Sequence, residues 1–194
     1  SRARLDVALK LEQKQQLNIG TTAGLWQFIL QDKLKVIHAK FPDISLRAQA
    51  HTHDELLRLV TERALDVAFL YEPPKIPQLS AMPIGKLKLV LATTGDAVTA
   101  KNALQGKYVY VDWGTAFAMF HAKRFGDTPP AALYTNIASV AESFIENNNG
   151  SAYLPEKMIL PGSQDGKSKP TVRVVSGAPS FSREIYLVSR SNFE

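Results

Sequence analysis

The alternation of hydrophobic and polar residues predicts two β-α units in the first half of the chain. Residues 44–50 alternate between apolar and polar side chains, which is the period-two pattern of a strand. Residues 25–41 have apolar positions every three or four residues, which predicts a helix that ends before Pro42. The apolar segments 17–20 and 66–70 are then the neighbouring strands. This β-α-β-α-β order requires right-handed crossovers and a parallel sheet.

The second half of the chain repeats this order after a proline-containing loop, and each half contains one capping box at a helix start. Thr52 with Glu55 forms the box in the first half, and Ser139 with Glu142 forms the box in the second. In each box, each side chain satisfies the other residue's backbone amide. Gly150 is predicted to end the later of these helices in the left-handed conformation, which glycine adopts without cost. The other predicted elements are strands at 87–92, 108–111, 131–134, 151–154 and 185–189 and a helix at 116–125.

These patterns predict an α/β fold of two Rossmann-like lobes joined by a hinge, like the type 2 periplasmic binding proteins. Residues 17–93 with 188–194 are the predicted first lobe, and residues 94–187 are the second. The chain is expected to pass between them around residues 93–94 and again near residues 186–189.

The predicted ligand site lies in the cleft between the two lobes, where the parallel strands end. In open α/β sheets, ligands bind beyond the carboxyl ends of the strands. The helix N-termini found there offer free backbone amides and a favourable dipole to an anion, so a carboxylate-bearing metabolite is the leading ligand class. Helix capping alone is the alternative explanation for any one of these residues. The polar residues at the strand ends are Thr21, Thr22, His51, Thr52, His53, Tyr71, Glu72, Asp112–Thr115, Thr135 and Asn136.

Composition narrows the class of protein. The net charge is +5, but Lys and Arg are scattered without a block of like charges, so direct nucleic-acid binding by this chain is not favoured. The chain has no cysteine, which excludes disulfides and fits a reducing cytoplasm. No apolar run approaches the roughly 18 residues of a membrane span, and the basic start of the chain does not resemble a signal peptide.

Candidate catalytic and metal chemistry is sparse. His51 and His53 are two apart on a predicted strand, where they share a face, but no third imidazole joins them and polar rim residues are the favoured interpretation over zinc. Ser151 follows a glycine but lacks the second glycine of a nucleophile elbow. Phosphate-loop and dinucleotide glycine patterns are missing as well. We therefore predict that the chain is not an enzyme and holds no metal or cofactor other than its small-molecule effector.

The order and spacing of several short segments resemble the regulatory domain of LysR-type transcriptional regulators across about 175 residues. The turn at 112–114 and the loop at 72–75 look more specifically like the HdfR branch of that family. The family segments are Leu17–Thr22, Phe41–Ile44, Leu65–Phe69 and Asn149–Pro155.

The resemblance implies how the intact protein is organised. Residues 1–16 look like the end of a long dimerising helix that follows a winged helix-turn-helix domain, so DNA binding would belong to the intact protein only. Homodimers would form through the first lobe, with the helix of residues 24–41 facing the segment 44–62 of a second copy, and the full-length protein would be a tetramer. Family members usually carry a final helix, and this chain stops at residue 194, where that helix should begin.

The resemblance also implies which residues contact the inducer. Gly24 departs from the family pattern, because many members have a hydroxyl residue there, and His53 stands where a small hydroxyl residue is frequent. Trp113 is the one aromatic residue expected at the cleft, whereas Trp26, Phe28 and Phe41 are expected in the core. The implied ligand-binding residues are Thr21, Thr22, Gly24, Thr52, His53, Trp113, Thr115 and Phe117, to which the strand-end rule adds Tyr71.

One alternative stays open at this point. A stand-alone solute-binding protein of the periplasmic type would share the two-lobe architecture and would be monomeric. The predicted helix at residues 1–16 argues against it, because such a protein has no need of that segment. A small α/β transferase has no positive feature in the sequence.

Overall fold

The structure, a computed structural model, describes residues 15–159 and 172–191. The chain divides into two compact units. Unit 1 contains the residues up to Lys86 and those from Glu184 onward, and unit 2 spans Leu87–Arg183. The predicted helix at residues 1–16 lies outside the described residues except for Gln15 and Gln16, and Gln16 begins the first strand.

Unit 1 is built on a sheet with the strand order β2-β1-β3-β9. β1 is parallel to both β2 and β3, which confirms the predicted β-α-β-α-β order, and β9 is antiparallel to β3. The elements of this unit are β1 (Gln16–Thr21), the helical segment α1, β2 (Ser45–Ala50), α2 (His53–Thr61), β3 (Val67–Leu70), the first part of β4 (Leu79–Thr93) and most of β9 (Phe181–Arg190).

The helical segment α1 is less regular than the sequence pattern predicts. It begins with one α turn, Ala23–Leu25, continues with a π-helical turn, Trp26–Leu30, and ends as the α-helix Gln31–Lys40. Trp26, Phe28 and Phe41 were expected in the core but are only half-buried. The reason is that α1 lies beside β2, the edge strand, where five of the six residues are exposed.

The core of unit 1 lies between α2 and the buried strands. Thr52 Oγ1 accepts a hydrogen bond from the Glu55 amide (3.4 Å), which confirms the predicted start of α2. The Glu55 carboxylate accepts from Arg58 rather than completing a reciprocal box. The buried residues of this core are Leu56, Val60, Leu65, Ala68, Leu70, Leu79 and Val188.

Unit 2 has the strand order β4-β7-β5-β6, with β8 paired to β4. β5 is parallel to β6 and to β7, whereas β7 is antiparallel to β4. The elements are α3 (Ala100–Gln105), β5 (Tyr108–Val111), α4 (Thr115–Phe125), β6 (Leu133–Thr135), α5 (Ala138–Asn148), β7 (Ser151–Pro155), a 3-10 turn (Glu156–Met158) and β8 (Arg173–Val174).

Both predicted signals at the ends of α5 are wrong. The helix begins at Ala138, one residue before the predicted cap, and no side chain caps it. At its end Asn149, not Gly150, adopts the left-handed conformation (φ 52°). Gly150 is required for another reason, because a Cβ atom there would lie 2.6 Å from the carbonyl oxygen of Lys107.

Thr93 and Thr94 anchor the end of β4 within unit 2. Thr93 Oγ1 donates to the carbonyl of Gly150 (3.2 Å) and accepts from the Ser151 hydroxyl (2.9 Å). The Thr94 hydroxyl donates to the carbonyl of Ile145, in the last turn of α5.

The described helices include none with the length and apolar character that crossing a bilayer requires.

Candidate ligand-binding site

The carboxyl ends of β1, β2 and β3 lie side by side in unit 1. Thr21 is in register with Ala50 of β2 and with Phe69 of β3. The His51 amide donates to the carbonyl of Thr21 (3.1 Å), so the two loops that follow β1 and β2 are joined directly. Because both loops open into helices, two helix N-termini point free amides toward the same edge of the sheet.

The first of these N-termini is formed at Thr22. Thr21 is fully buried, and its hydroxyl donates to the carbonyl of Phe69 (2.8 Å), so its side chain holds the sheet together. Thr22 is extended and half-buried, and its hydroxyl makes no capping bond to α1. Gly24 is buried in the first turn, which contains no acidic residue. The Thr22 hydroxyl and the amides of this turn are therefore the groups suited to hold an anion.

The second N-terminus is formed at Thr52 and His53. The Thr52 hydroxyl caps α2, as described above. His53 Nδ1 lies 3.3 Å from Asp54 Oδ1. His53 Nε2 is buried and has no hydrogen-bond partner within the described part of the chain. Tyr71, which directly follows β3, is also half-buried. The structure thus brings the predicted residues of unit 1 to one edge of its sheet.

The predicted residues of unit 2 follow β5. Trp113 is 2% exposed, and its indole Nε1 donates to the carbonyl of Tyr153 (2.9 Å). Phe117, which is part of α4, is fully buried. Thr115 is exposed as the first residue of α4, after Gly114 with its positive φ of 96°. Of these three, only Thr115 presents its side chain at the surface, and ligand contact by Trp113 and Phe117 stays a prediction.

The described residues contain no group of three or more His, Asp and Glu side chains placed to hold a metal ion. His51 Nε2–H donates to Gln49 Oε1 (2.8 Å), and His53 faces Asp54, so the two predicted candidates have separate partners.

A surface groove of about 420 Å³ in unit 1 was not recognised from the residue pattern. It lies between the exposed face of α1 and the edge strand β2. One feature of the sequence indicates this groove. Ala48 and Ala50 place two small side chains on one face of β2, opposite the half-buried Trp26 and Leu34. The groove is lined by Ala23, Trp26, Gln27, Gln31, Leu34, Ala48 and Ala50.

Unit 2 contains a cluster of aromatic rings beneath α4, with His121 among them. The Tyr108 hydroxyl lies 2.9 Å from His121 Nε2, and the Tyr110 ring packs edge-on against the imidazole at 5.0 Å. Burial lowers the pKa of His121 below its ordinary value of 6.5.

The lowered pKa of His121 predicts a pH-dependent stability. The unfolded chain binds a proton on this ring at a higher pH than the folded chain does. The neutral His121 ring therefore contributes its full share to the free energy of unfolding above pH 6.5. That share is lost as the pH falls through the pKa that the ring has in the folded chain. We expect His121→Gln to remove this part of the fall in melting temperature between about pH 8 and pH 5. His38→Gln, which changes an exposed histidine of α1, is the control, and equal pH profiles for wild type and His121→Gln would contradict the prediction.

Comparison with known proteins identifies the family and the fold of this chain. The family model of the LysR substrate binding domain matches residues 11–194. The HTH-type transcriptional regulator HdfR of Yersinia enterocolitica is 27% identical over 199 residues, covering 98% of this chain and 65% of HdfR. The C-terminal domain of a probable LysR family transcriptional regulator from Rhodococcus sp. RHA1 has a TM-score of 0.72 at 19% identity, covering 93% of this chain and 92% of that one. The reduced OxyR regulatory domain from Pseudomonas aeruginosa has a TM-score of 0.73 at 12% identity, covering 93% and 91%.

The fold is therefore the mixed α/β fold of LysR regulatory domains, which resembles type 2 periplasmic binding proteins. The chain belongs to the LysR substrate-binding domain family, because the family model matches nearly all of it. This confirms the predicted family and fold class, and the HdfR relatives confirm the predicted likeness to that branch. The chain spans 65% of the length of the HdfR that it matches.

Proposed function

We propose that this chain is the effector-sensing domain of a LysR-type transcriptional regulator and that a small anionic metabolite binds at the carboxyl edge of the β1-β2-β3 sheet. The observation that carries the proposal is the pair of helix N-termini, at Thr22 and Thr52, on adjacent parallel strands. Each supplies backbone amides that have no partner within their helix, and both dipoles favour negative charge.

The local charges support an anion over a cation. The first turn of α1 has no acidic residue. The first turn of α2 has Asp54 and Glu55, but Glu55 is paired with Arg58, and Asp54 faces His53. Because His53 Nδ1–H donates to Asp54, the buried Nε2 is one further donor to a carboxylate in the imidazolium form of the ring, in which both nitrogens carry a proton. The Thr22 hydroxyl supplies a second. These two side chains are therefore the ones we expect to determine affinity.

In the intact regulator, effector occupancy would be transmitted to DNA through dimerisation. We propose a homodimer through the groove of unit 1 and a tetramer in the full-length protein, with DNA bound only by a winged helix-turn-helix domain. β2 is an edge strand with the apolar row Leu46, Ala48 and Ala50 beside the exposed face of α1, which is a surface suited to burial by a second copy. Such a protein acts in the cytoplasm and has no catalytic residues.

A thermal-shift screen of small carboxylates against the purified chain tests the ligand site. A true ligand at a hundredfold excess over its dissociation constant adds about 2.7 kcal/mol of stability, which raises the melting temperature by about 5–10 °C in a domain of this size. We expect Thr22→Ala and His53→Ala each to abolish this rise.

Thr61→Ala is the matched control, because Thr61 is exposed at the far end of α2 and its hydroxyl bonds within its own helix. A carboxylate that stabilises both site variants as strongly as the wild type binds elsewhere, and the proposed site would then be wrong. Preference for neutral amide analogues over the acids would contradict the anionic class.

A further inference from the structure

Trp26 is hydrogen-bonded to both chain segments that form the candidate ligand site. Its backbone amide donates to the carbonyl of Thr22 (3.2 Å), where β1 passes into α1. Its indole Nε1 donates to the carbonyl of Gln49 (2.6 Å), two residues before the loop that follows β2. One side chain therefore fixes the first turn of α1 against the end of the edge strand.

The contacts of Gln49 extend this connection to the second helix. The Gln49 side chain accepts from His51 Nε2–H (2.8 Å), and the His51 amide donates to the carbonyl of Thr21 (3.1 Å). His51 is separated from His53, at the start of α2, by one residue. Gln49 is thus held through its carbonyl by Trp26 and through its side chain by His51.

The same Trp26 lines the groove beside β2, whereas His51 and His53 do not. Trp26 is also the first residue of the π-helical turn in α1. Such turns are rare, occur mostly as single bulges inside α-helices, and are frequent at functional sites. A second copy that packs in the groove would therefore contact the indole whose hydrogen bond fixes the distance between the two ligand-site loops.

We propose that Trp26 is a positioning residue that couples docking of a second copy in the groove to the geometry of the ligand site. This inference rests on the proposed function, because it uses the same site and the same dimer. Coupling of two binding equilibria is reciprocal, so a contact that shifts the loops on dimerisation is also a contact through which a bound effector changes the dimer affinity.

Histidine NMR on the whole 194-residue chain tests the coupling without a known effector. The chain has four histidines, so a spectrum of 13C-labelled rings has four signals, which single His→Gln substitutions assign. The signals are recorded along a dilution series whose dimer fraction is measured by sedimentation. We expect the His51 and His53 signals to move with the dimer fraction and the His121 signal, from unit 2, to stay in place.

Trp26→Phe retains an aromatic ring in the groove but removes the indole N–H. We expect this variant to dimerise and to lose the movement of the His51 and His53 signals. Gln27→Ala is the matched control, because Gln27 lines the groove and has no bond to Gln49 in the hydrogen bonds described, and it should retain the movement at equal dimer fraction. Gln49→Ala, which removes only the side-chain link to His51, should reduce the His51 movement and provides a second test if Trp26→Phe does not fold.

The outcomes separate the coupling from the dimer. A wild-type chain that stays monomeric at every concentration overturns the proposed dimer and the coupling with it. A wild-type dimer whose His51 and His53 signals do not move leaves the dimer standing and overturns the coupling. Equal movement in Trp26→Phe and wild type assigns the coupling to another residue and overturns the role of Trp26.

Discussion

Replacing Phe117 with alanine is expected to lower the free energy of unfolding of unit 2 by about 3–5 kcal/mol, the usual cost of deleting a large buried aromatic side chain. Phe117 is fully buried. Its ring packs edge-to-face against those of Tyr153 (5.4 Å) and Phe181 (5.6 Å), and it also contacts Tyr110 and His121. The substitution would leave a cavity among rings that come from three strands and the same helix.

The measurement is urea unfolding followed by the fluorescence of one tryptophan. The chain has two, Trp26 in unit 1 and Trp113 in unit 2, so a Trp26→Phe background leaves Trp113 as the reporter of unit 2. Met119→Ala is the control on the same helix, because Met119 is 68% exposed and its loss should change stability by less than about 0.5 kcal/mol. A similar small effect for Phe117→Ala would show that the aromatic cluster is not the core of this unit.

The predicted ligand contact of Phe117 has to be tested with a smaller change. Loss of effector binding in Phe117→Ala could not be distinguished from loss of folding. Phe117→Leu keeps most of the apolar volume in the cluster and should cost less stability. An effector whose affinity is unchanged in Phe117→Leu would limit the role of Phe117 to packing, which is what its burial favours.

The sequence pattern predicts those parts of the fold that depend on local periodicity. The alternation in residues 44–50 and the Thr52 cap correspond to β2 and α2, because each is determined by side chains close together in the chain. The end of α5 could not be predicted in this way. Gly150 follows the helix at the expected distance, but Asn149 adopts the left-handed conformation, and the glycine is required by the distant carbonyl of Lys107.

The candidate site shows the same division. The strand-end rule predicts that Thr22 and His53 lie at one edge, because it follows from the parallel topology alone. The burial of Trp113 depends on the Tyr153 carbonyl, 40 residues away in the chain, and no turn signal indicates that partner. Trp26 is one of the regularly spaced apolar residues expected in the core, yet the edge position of β2 leaves it half-buried beside a groove.

Replacing Ala48 with glutamate is expected to raise the dissociation constant of the dimer by at least about a hundredfold, equivalent to ~2.7 kcal/mol. Ala48 is exposed on the edge strand and lines the groove, so a carboxylate there would be buried without a partner when a second copy packs against it. Sedimentation equilibrium measures the constant. Ser45→Glu makes the same charge change on the opposite face of β2, because side chains three positions apart on a strand point to opposite faces, and it should leave the dimer nearly unchanged.

If both variants weaken the dimer equally, the effect is one of net charge and the contact surface lies elsewhere. If only Ala48→Glu does, the groove is the surface on which a second copy packs, and the movement of the His51 and His53 signals then decides whether Trp26, which lines that groove, couples dimerisation to effector binding.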